Sequence, residues 1–189
     1  MLVLLGWTAS GKDTIKRELI KLGMKSIVTY TTRPKRKGEK NCIAYNFITK
    51  EQFLSLKSKN FFVETTSYNV VSGERWYYGT ARKDIENDSI IIMNPQGFRT
   101  LKKDKSLNII SFYLKADEEV IRNRLKIRGD NLVESERRLN ADKNDFNLIE
   151  NEVDFVINNG LGFEPEIIAK SIKNLYDNYI LCESGDKIE

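Results

Sequence analysis

Near the start of the chain, Gly6-Trp7-Thr8-Ala9-Ser10-Gly11-Lys12-Asp13-Thr14 combines two glycines with a lysine and a threonine hydroxyl. These residues follow the apolar run 1–5 and precede the amphipathic stretch 15–22. A short buried strand, a glycine-bounded turn and a helix opening from it is the arrangement that cradles phosphates. Glycine tolerates backbone angles that other residues resist, so Gly6 and Gly11 let the amide N–H groups around Ser10 turn inward. The helix adds the positive end of its dipole, and Lys12 adds a full charge that can reach terminal phosphates. The strict pattern places Ser or Thr directly after the lysine to hold Mg²⁺. Here Asp13 intervenes and the hydroxyl falls on Thr14, which makes these two the candidate metal ligands. The loop predicts a nucleoside triphosphate as ligand.

A second cluster is the basic segment Thr31-Thr32-Arg33-Pro34-Lys35-Arg36-Lys37-Gly38-Glu39. Arg33 and Arg36 bracket a proline that stiffens the chain, an arrangement that could aim two guanidinium forks at one phosphate. Taken alone, such a run also reads as a solvated face or a polyanion patch. Other chemistry is thinly supplied. There is no histidine, and the only cysteines, Cys42 and Cys182, stand far apart without metal-ligating partners, which argues against zinc sites and histidine-based catalysis.

The elements that must position these groups follow from hydrophobic patterning. Short Ile/Val/Leu-rich runs at 1–5, 26–29, 89–93, 108–114 and 155–158 predict strands. Helical spacing or caps at 13–22, 84–87, 98–101, 118–126 and 134–145 predict helices between them. A closing helix is predicted over 164–180, with Ile167, Ile168, Ile172 and Leu175 on one face. This alternation predicts a parallel sheet wrapped by helices. The interval 34–78 breaks the rhythm with a helical stretch at 50–58 between the β-forming runs Tyr45-Asn46-Phe47-Ile48, Phe61-Phe62-Val63-Glu64 and Trp76-Tyr77-Tyr78-Gly79-Thr80, which predicts a small inserted mixed lobe. Residues 184–189 read as a solvated tail.

At 189 residues and 40% hydrophobic composition, the chain fits one domain with a substantial core. Its 31 basic and 27 acidic side chains leave a net charge of +4, too balanced for nucleic-acid binding through bulk charge. No run approaches the roughly 18 apolar residues of a membrane span. No charged segment precedes the first strand, so a reduced cytoplasmic protein with neither nucleic-acid nor membrane partners is expected.

In order behind the loop, residues 29–47, Glu64, Tyr78-Gly79-Thr80, Gln96-Gly97 and 124–138 resemble guanylate kinases, and the similarity runs from about residue 3 to about residue 175. The resemblance implies an α/β fold of the P-loop type, three α/β/α layers about a parallel core sheet. It places that core at 1–33, 81–127 and 142–189, an inserted mixed α+β monophosphate-binding lobe at 34–80 and a helical lid at 128–141. It implies that Arg33, Arg36, Tyr45 and Tyr78 hold the acceptor phosphate, and that Thr29, Glu64 and Thr80 face the guanine base. Catalytic roles pass to Lys12 and to Arg124, Arg128 and Arg138, which close on the transferring phosphoryl group, while Asn159 lies near the donor adenine. The implied reaction is transfer from ATP, with Mg²⁺, to GMP or dGMP in purine nucleotide metabolism, by a monomer or homodimer.

Phosphate as nucleophile removes the need for a general base, because its second pKa is about 6 and it is largely deprotonated near neutrality. Guanine presents adjacent N–H donors along one edge, and a carboxylate such as Glu64 can accept two of them, while Thr80 could donate to the neighbouring carbonyl oxygen. The sequence also departs from the family. Ile92 and Asn94 stand where two acidic residues are usual, and the interval from Glu64 to Tyr78 is longer, with an extra turn expected at Ser72-Gly73-Glu74. A kinase for another nucleoside monophosphate, or a guanylate-kinase-like binding module without catalysis, remain alternatives; the intact Gly11-Lys12 favours an enzyme. Individually, Arg124, Arg128 and Arg138 also read as partners for Glu118, Glu119, Glu134 and Glu136 on helix surfaces.

Overall fold

Leucine at positions 2, 4 and 5 with valine at 3 leaves no polar face, and such a run is at home only in a strand covered on both sides. In the computed structural model, which describes residues 1–36, 38–43, 45–70, 73–160, 162 and 164–185, all four are fully buried at the middle of a sheet. Lys37, Ser72 of the expected turn and 186–189 of the expected tail lie outside the described residues.

In chain order the elements are β1 (Leu2–Leu5), α1 (Lys12–Lys21), β2 (Lys25–Ser26), β3 (Tyr30–Thr31), β4 (Asn46–Phe47), α2 (Lys50–Ser58), β5 (Phe62–Asn69) and β6 (Arg75–Ala81). There follow β7 (Ser89–Ile92), α3 (Pro95–Leu101), β8 (Ile110–Lys115), α4 (Glu118–Arg128), α5 (Leu132–Asp145), β9 (Phe155–Asn158) and α6 (Pro165–Gly185). The core sheet has the order β2-β7-β1-β8-β9 and is parallel throughout. Alternate residues of β1 feed two hydrophobic layers. Leu2 and Leu4 pack with Ile15 and Leu19 of α1 and Ile168, Ile172 and Tyr176 of α6. Val3 and Leu5 pack on the other side with Phe98 and Leu101 of α3 and with Phe146 and Ile149. The result is the three-layer α/β/α arrangement expected.

The second sheet, β4-β3-β6-β5, is mixed: β3 pairs parallel to β4 and antiparallel to β6, and β5 and β6 form a long hairpin. One face is covered by α2, which starts at a capping box between Thr49 and Gln52. Its one buried residue, Phe53, stacks on Phe62 at 4.6 Å. A Cβ on Gly79 would meet the Phe62 ring at 2.9 Å, so this approach requires glycine. The other face of the hairpin carries the register pairs Glu64–Thr80, Thr66–Tyr78 and Tyr68–Trp76.

Three local expectations change. The helix expected at 84–87 is a single 3₁₀ turn, Arg82–Asp84, because only seven residues join β6 to β7. The strand expected at 26–29 is cut to Lys25–Ser26, since Thr29 already belongs to the crossing into the second sheet, where its carbonyl accepts from Asn46 N. On α6 the buried line is Ile168, Ala169, Ile172 and Tyr176, and Ile167 is 61% exposed: packing uses the i, i+4, i+8 row, and the residue one step before it is turned away.

Candidate active site

β1 delivers the chain to the glycine-bounded loop, and that loop tolerates no side chain at either glycine. A Cβ on Gly6 would lie 2.5 Å from Ser10 Oγ and 2.8 Å from the Leu114 carbonyl oxygen. At Gly11, which caps α1 with φ of 99°, a Cβ would lie 2.4 Å from Asn159 Nδ2. Lys12 folds back across the turn, its Nζ donating to the Gly6 carbonyl at 2.6 Å and the Trp7 carbonyl at 2.7 Å. Burial pushes its ammonium down to about 8, against the upward pull of Asp142 and Asp13. The ammonium thus sits where loop, α1 and α5 meet.

Two cavities open on either side of Lys12, which lines both. The smaller, about 450 Å³, is lined by Gly11, Asp13 and Thr14 together with Arg124, Arg128 and Asn159. Asn159 is buried and spends its amide on the Ser10 carbonyl at 2.6 Å. Arg124 reaches the same stretch of backbone: Nη1 faces the Ala9 and Ser10 carbonyls at 3.4 and 3.3 Å, and Nη2 donates to the Asn159 carbonyl at 3.0 Å. Both residues therefore hold the loop in shape as well as facing the cavity. The exposed Asp13 carboxylate and the Thr14 hydroxyl, which accepts from Arg17 Nη2 at 3.3 Å, are hard oxygen donors of the kind Mg²⁺ prefers.

The larger cavity, about 780 Å³, lies between the second sheet and the core. Glu64 lines it and is 6% exposed. Its Oε1 accepts from Thr80 Oγ1 at 2.7 Å, which commits the Thr80 proton to the carboxylate, while Oε2 is buried with no partner. Burial raises this carboxyl to about 7, against the lowering effect of Thr80. An ionisable group left one bond short in a cavity is a demand for a donor-bearing ligand. Thr29, Arg36, Tyr45 and Tyr78 line the same cavity, as do Ile92 and Asn94.

The two arginines of the basic segment are held differently, although both act on Glu39 and on the Tyr78 hydroxyl. Arg33 is 4% exposed and its Nη2 donates to both oxygens of Glu39, at 2.7 and 3.0 Å, with Tyr45 and Phe47 packed against the guanidinium. Arg36 faces the cavity while its backbone N–H donates to Glu39 at 2.7 Å. The remaining arginines are split as well. Arg124 and Arg128 line the smaller cavity, with Arg128 paired to Asp130. Arg138 lines the larger one, with its Nε donating to Glu134 at 2.8 Å.

Sequence reasoning missed several lining residues. Asp142 lies one helical turn beyond Arg138 on α5, accepts from Thr8 N at 2.6 Å and is raised by burial. Arg137 lines the larger cavity beside it. Thr66 and Tyr68 continue the period of two that begins at Glu64, a signal available in the sequence once Glu64 is placed on a strand.

A parallel α/β core whose first strand ends in a lysine-bearing phosphate loop, flanked by one cavity on each side of that lysine, defines a P-loop nucleotide-handling protein. Comparison with known proteins narrows this class. Residues 1–174 match the guanylate kinase family, and the chain belongs to that family. It is 32% identical to guanylate kinase of Neisseria gonorrhoeae over 80% of this chain and 76% of the relative. With the guanylate kinase of Helicobacter pylori it shares 29% identity over 93% of this chain and 87% of the relative. The crystal structure of guanylate kinase from Anaplasma phagocytophilum superposes with a TM-score of 0.72 at 25% identity, covering 95% of this chain and 85% of that one.

Proposed function

We propose that this chain transfers the γ-phosphoryl group of ATP to GMP or dGMP, giving ADP and the corresponding diphosphate. The observation that carries this reading is the position of Lys12, half-buried at the junction of a loop-side cavity for the donor and a Glu64-containing cavity for the acceptor. Family membership supports the same reaction. The built loop speaks against a module that only binds.

In this reading an oxygen of the acceptor phosphate attacks the γ-phosphorus, and the bond from that phosphorus to the bridging oxygen of ADP breaks. The nucleophile is already ionised near neutrality, so the protein's work is alignment and charge. Lys12 leaves its two carbonyl partners for the donor phosphates, and Arg138, with Arg137 beside it, faces the acceptor side of the transferred group. Arg124 and Arg128 serve the donor side, with Asn159 toward the adenine. Arg36, Tyr45 and Tyr78 take the acceptor phosphate, and Arg33 stiffens their loop through Glu39. Glu64 accepts from the guanine edge, with Thr29 and Thr80 beside it. Asp13 and Thr14 would hold the Mg²⁺ that accompanies ATP, which would supply positive charge to the phosphate oxygens. Segments 34–80 and 128–141 act as acceptor lobe and lid, and closure excludes water from the transfer.

Cytoplasmic purine nucleotide metabolism is the setting we assign, with small-molecule substrates rather than nucleic acid as partners, and a monomer or homodimer as the working unit. Cys42 and Cys182 are exposed and unpaired, as suits a reducing compartment, and no helix among the described residues is long and apolar enough to cross a membrane. The decisive experiment is coupled ADP release with ATP and Mg²⁺ over GMP, dGMP, AMP and dTMP. Turnover of the guanylates is expected; turnover of none of the four would overturn the reading.

A further inference from the structure

The β5–β6 hairpin runs past the residues assigned to the acceptor and places one more polar side chain on the same face. Glu64, Thr66 and Tyr68 alternate along β5, and Tyr68 stands opposite Trp76 in register. Tyr68 lines the larger cavity and leans on the ring of Tyr78, with centroids 5.7 Å apart and planes at 75°. Its hydroxyl reaches across the cavity to the first turn of α3. There Asn94 caps the helix, its Oδ1 accepting from Gly97 N at 2.8 Å, and this fixes its Nδ2 as the donor to the Tyr68 phenol oxygen. Among the described residues the phenol's own proton meets no acceptor.

The order of groups along the cavity says what that proton faces. The base end is marked by Glu64, whose Oε2 lies close to Gly97, 3.3 Å from where a Cβ would stand. Tyr78, with Arg36 and Tyr45, marks the phosphate end. Tyr68 spans the two, touching Tyr78 on one side and the Asn94–Gly97 turn on the other. The middle of a nucleotide is its sugar. Resting on the guanylate kinase reading, the geometry points to Tyr68 as a residue that contacts the acceptor sugar, its hydroxyl donating to a ribose hydroxyl oxygen, with Asn94 positioning the phenol.

Burial, together with Asp145, Tyr78, Asp142 and Glu64, raises the Tyr68 phenol above its ordinary range, so it stays a donor at every working pH. Tyr68 is 39% exposed, so with an acceptor nucleotide lacking the contacted hydroxyl its proton returns to water and only the bond to the sugar is lost. The chain would thus favour the ribonucleotide carrying that hydroxyl over its deoxy counterpart.

The test measures kcat and KM for GMP, 2′-dGMP and 3′-dGMP with wild type, Tyr68→Phe, Asn94→Ser and the double variant. Serine keeps the helix cap at position 94 but removes the amide that holds the phenol. Tyr68→Phe is expected to lower kcat/KM for GMP about tenfold, chiefly through KM, with KM for ATP unchanged. That loss is expected to vanish for the one deoxy analogue that lacks the contacted hydroxyl. Asn94→Ser is expected to act in the same direction and to add nothing in the Tyr68→Phe background. Equal losses on all three nucleotides, or no loss on GMP, would overturn the sugar contact and leave the kinase reading standing. If the wild type turns over none of the three, the kinase reading fails and the sugar contact falls with it.

Discussion

Replacing Glu64 by glutamine should make the protein more stable at alkaline pH while it damages acceptor selection. Burial raises the Glu64 carboxyl from its ordinary 4.5 to about 7. Where both folded and unfolded chains hold the proton, at about pH 4 and below, the residue is neutral and costs nothing. As pH rises the unfolded chain releases its proton first, so the folded state loses stability through the interval from 4.5 to 7 and stays lower above it. With 1.36 kcal/mol per pKa unit, that loss amounts to roughly 2–3 kcal/mol between about pH 5 and about pH 8. Glutamine cannot ionise but can still accept from Thr80. The difference in unfolding free energy between Glu64→Gln and wild type, measured by urea titration, should therefore grow in the variant's favour by roughly that amount over this range. A difference that does not change with pH would mean that the carboxylate is not held against its own desolvation, and the reasoning about the cavity would be refuted. Ligand binding runs with the opposite sign. The ionised form accepts from guanine, so wild-type kcat/KM for GMP should fall about tenfold from about pH 8 to about pH 6.

Three further outcomes follow from the loop and the acceptor lobe. Lys12→Ala should lower kcat about a thousandfold or more, with the urea midpoint retained, because the ammonium's contacts are two loop carbonyls rather than the core; full activity in a coupled assay would remove the loop from the reaction. Gly11→Ala forces a Cβ against Asn159 at positive φ and should cost about 1–3 kcal/mol of stability while weakening ATP binding, read by urea titration and calorimetry. Arg36→Ala should raise KM for GMP roughly 10–100-fold with KM for ATP unchanged, whereas Arg33→Ala should instead lower stability by breaking its buried pairing with Glu39; steady-state kinetics and melting separate the two.

What the sequence disclosed was whatever local chemistry determines. The unbroken apolar run of β1 could only be a doubly covered strand, the helical pattern at 50–58 marked α2, and two glycines ahead of Lys12 admitted one kind of turn. Partners distant in the chain left no such mark. Nothing in the spacing joins Asp142 to Thr8, 134 residues away, or Asn94 to Tyr68, because those meetings are products of how α5 and the hairpin dock on the core. The basic segment shows the same limit from the other side. Its two arginines looked equivalent, yet Glu39 lies close enough in sequence to capture one of them.

That capture bears on how the acceptor cavity works. A guanidinium already holding a carboxylate, and packed by Tyr45 and Phe47, presents a fixed loop rather than a free charge. In the proposed reading Arg33 steadies Tyr45 and the Glu39 loop beside Arg36 and Tyr78. The base end shows a similar division: Thr80 satisfies one oxygen of Glu64 and leaves the other unpartnered, so the side chain is both held and incomplete. Each end of the cavity thus pairs a fixed group with an unsatisfied one, and an unpaired buried oxygen is costly until a donor arrives. In the proposed reading a guanine supplies that donor, and the stability conceded at Glu64 above neutral pH measures how strongly the cavity asks for one.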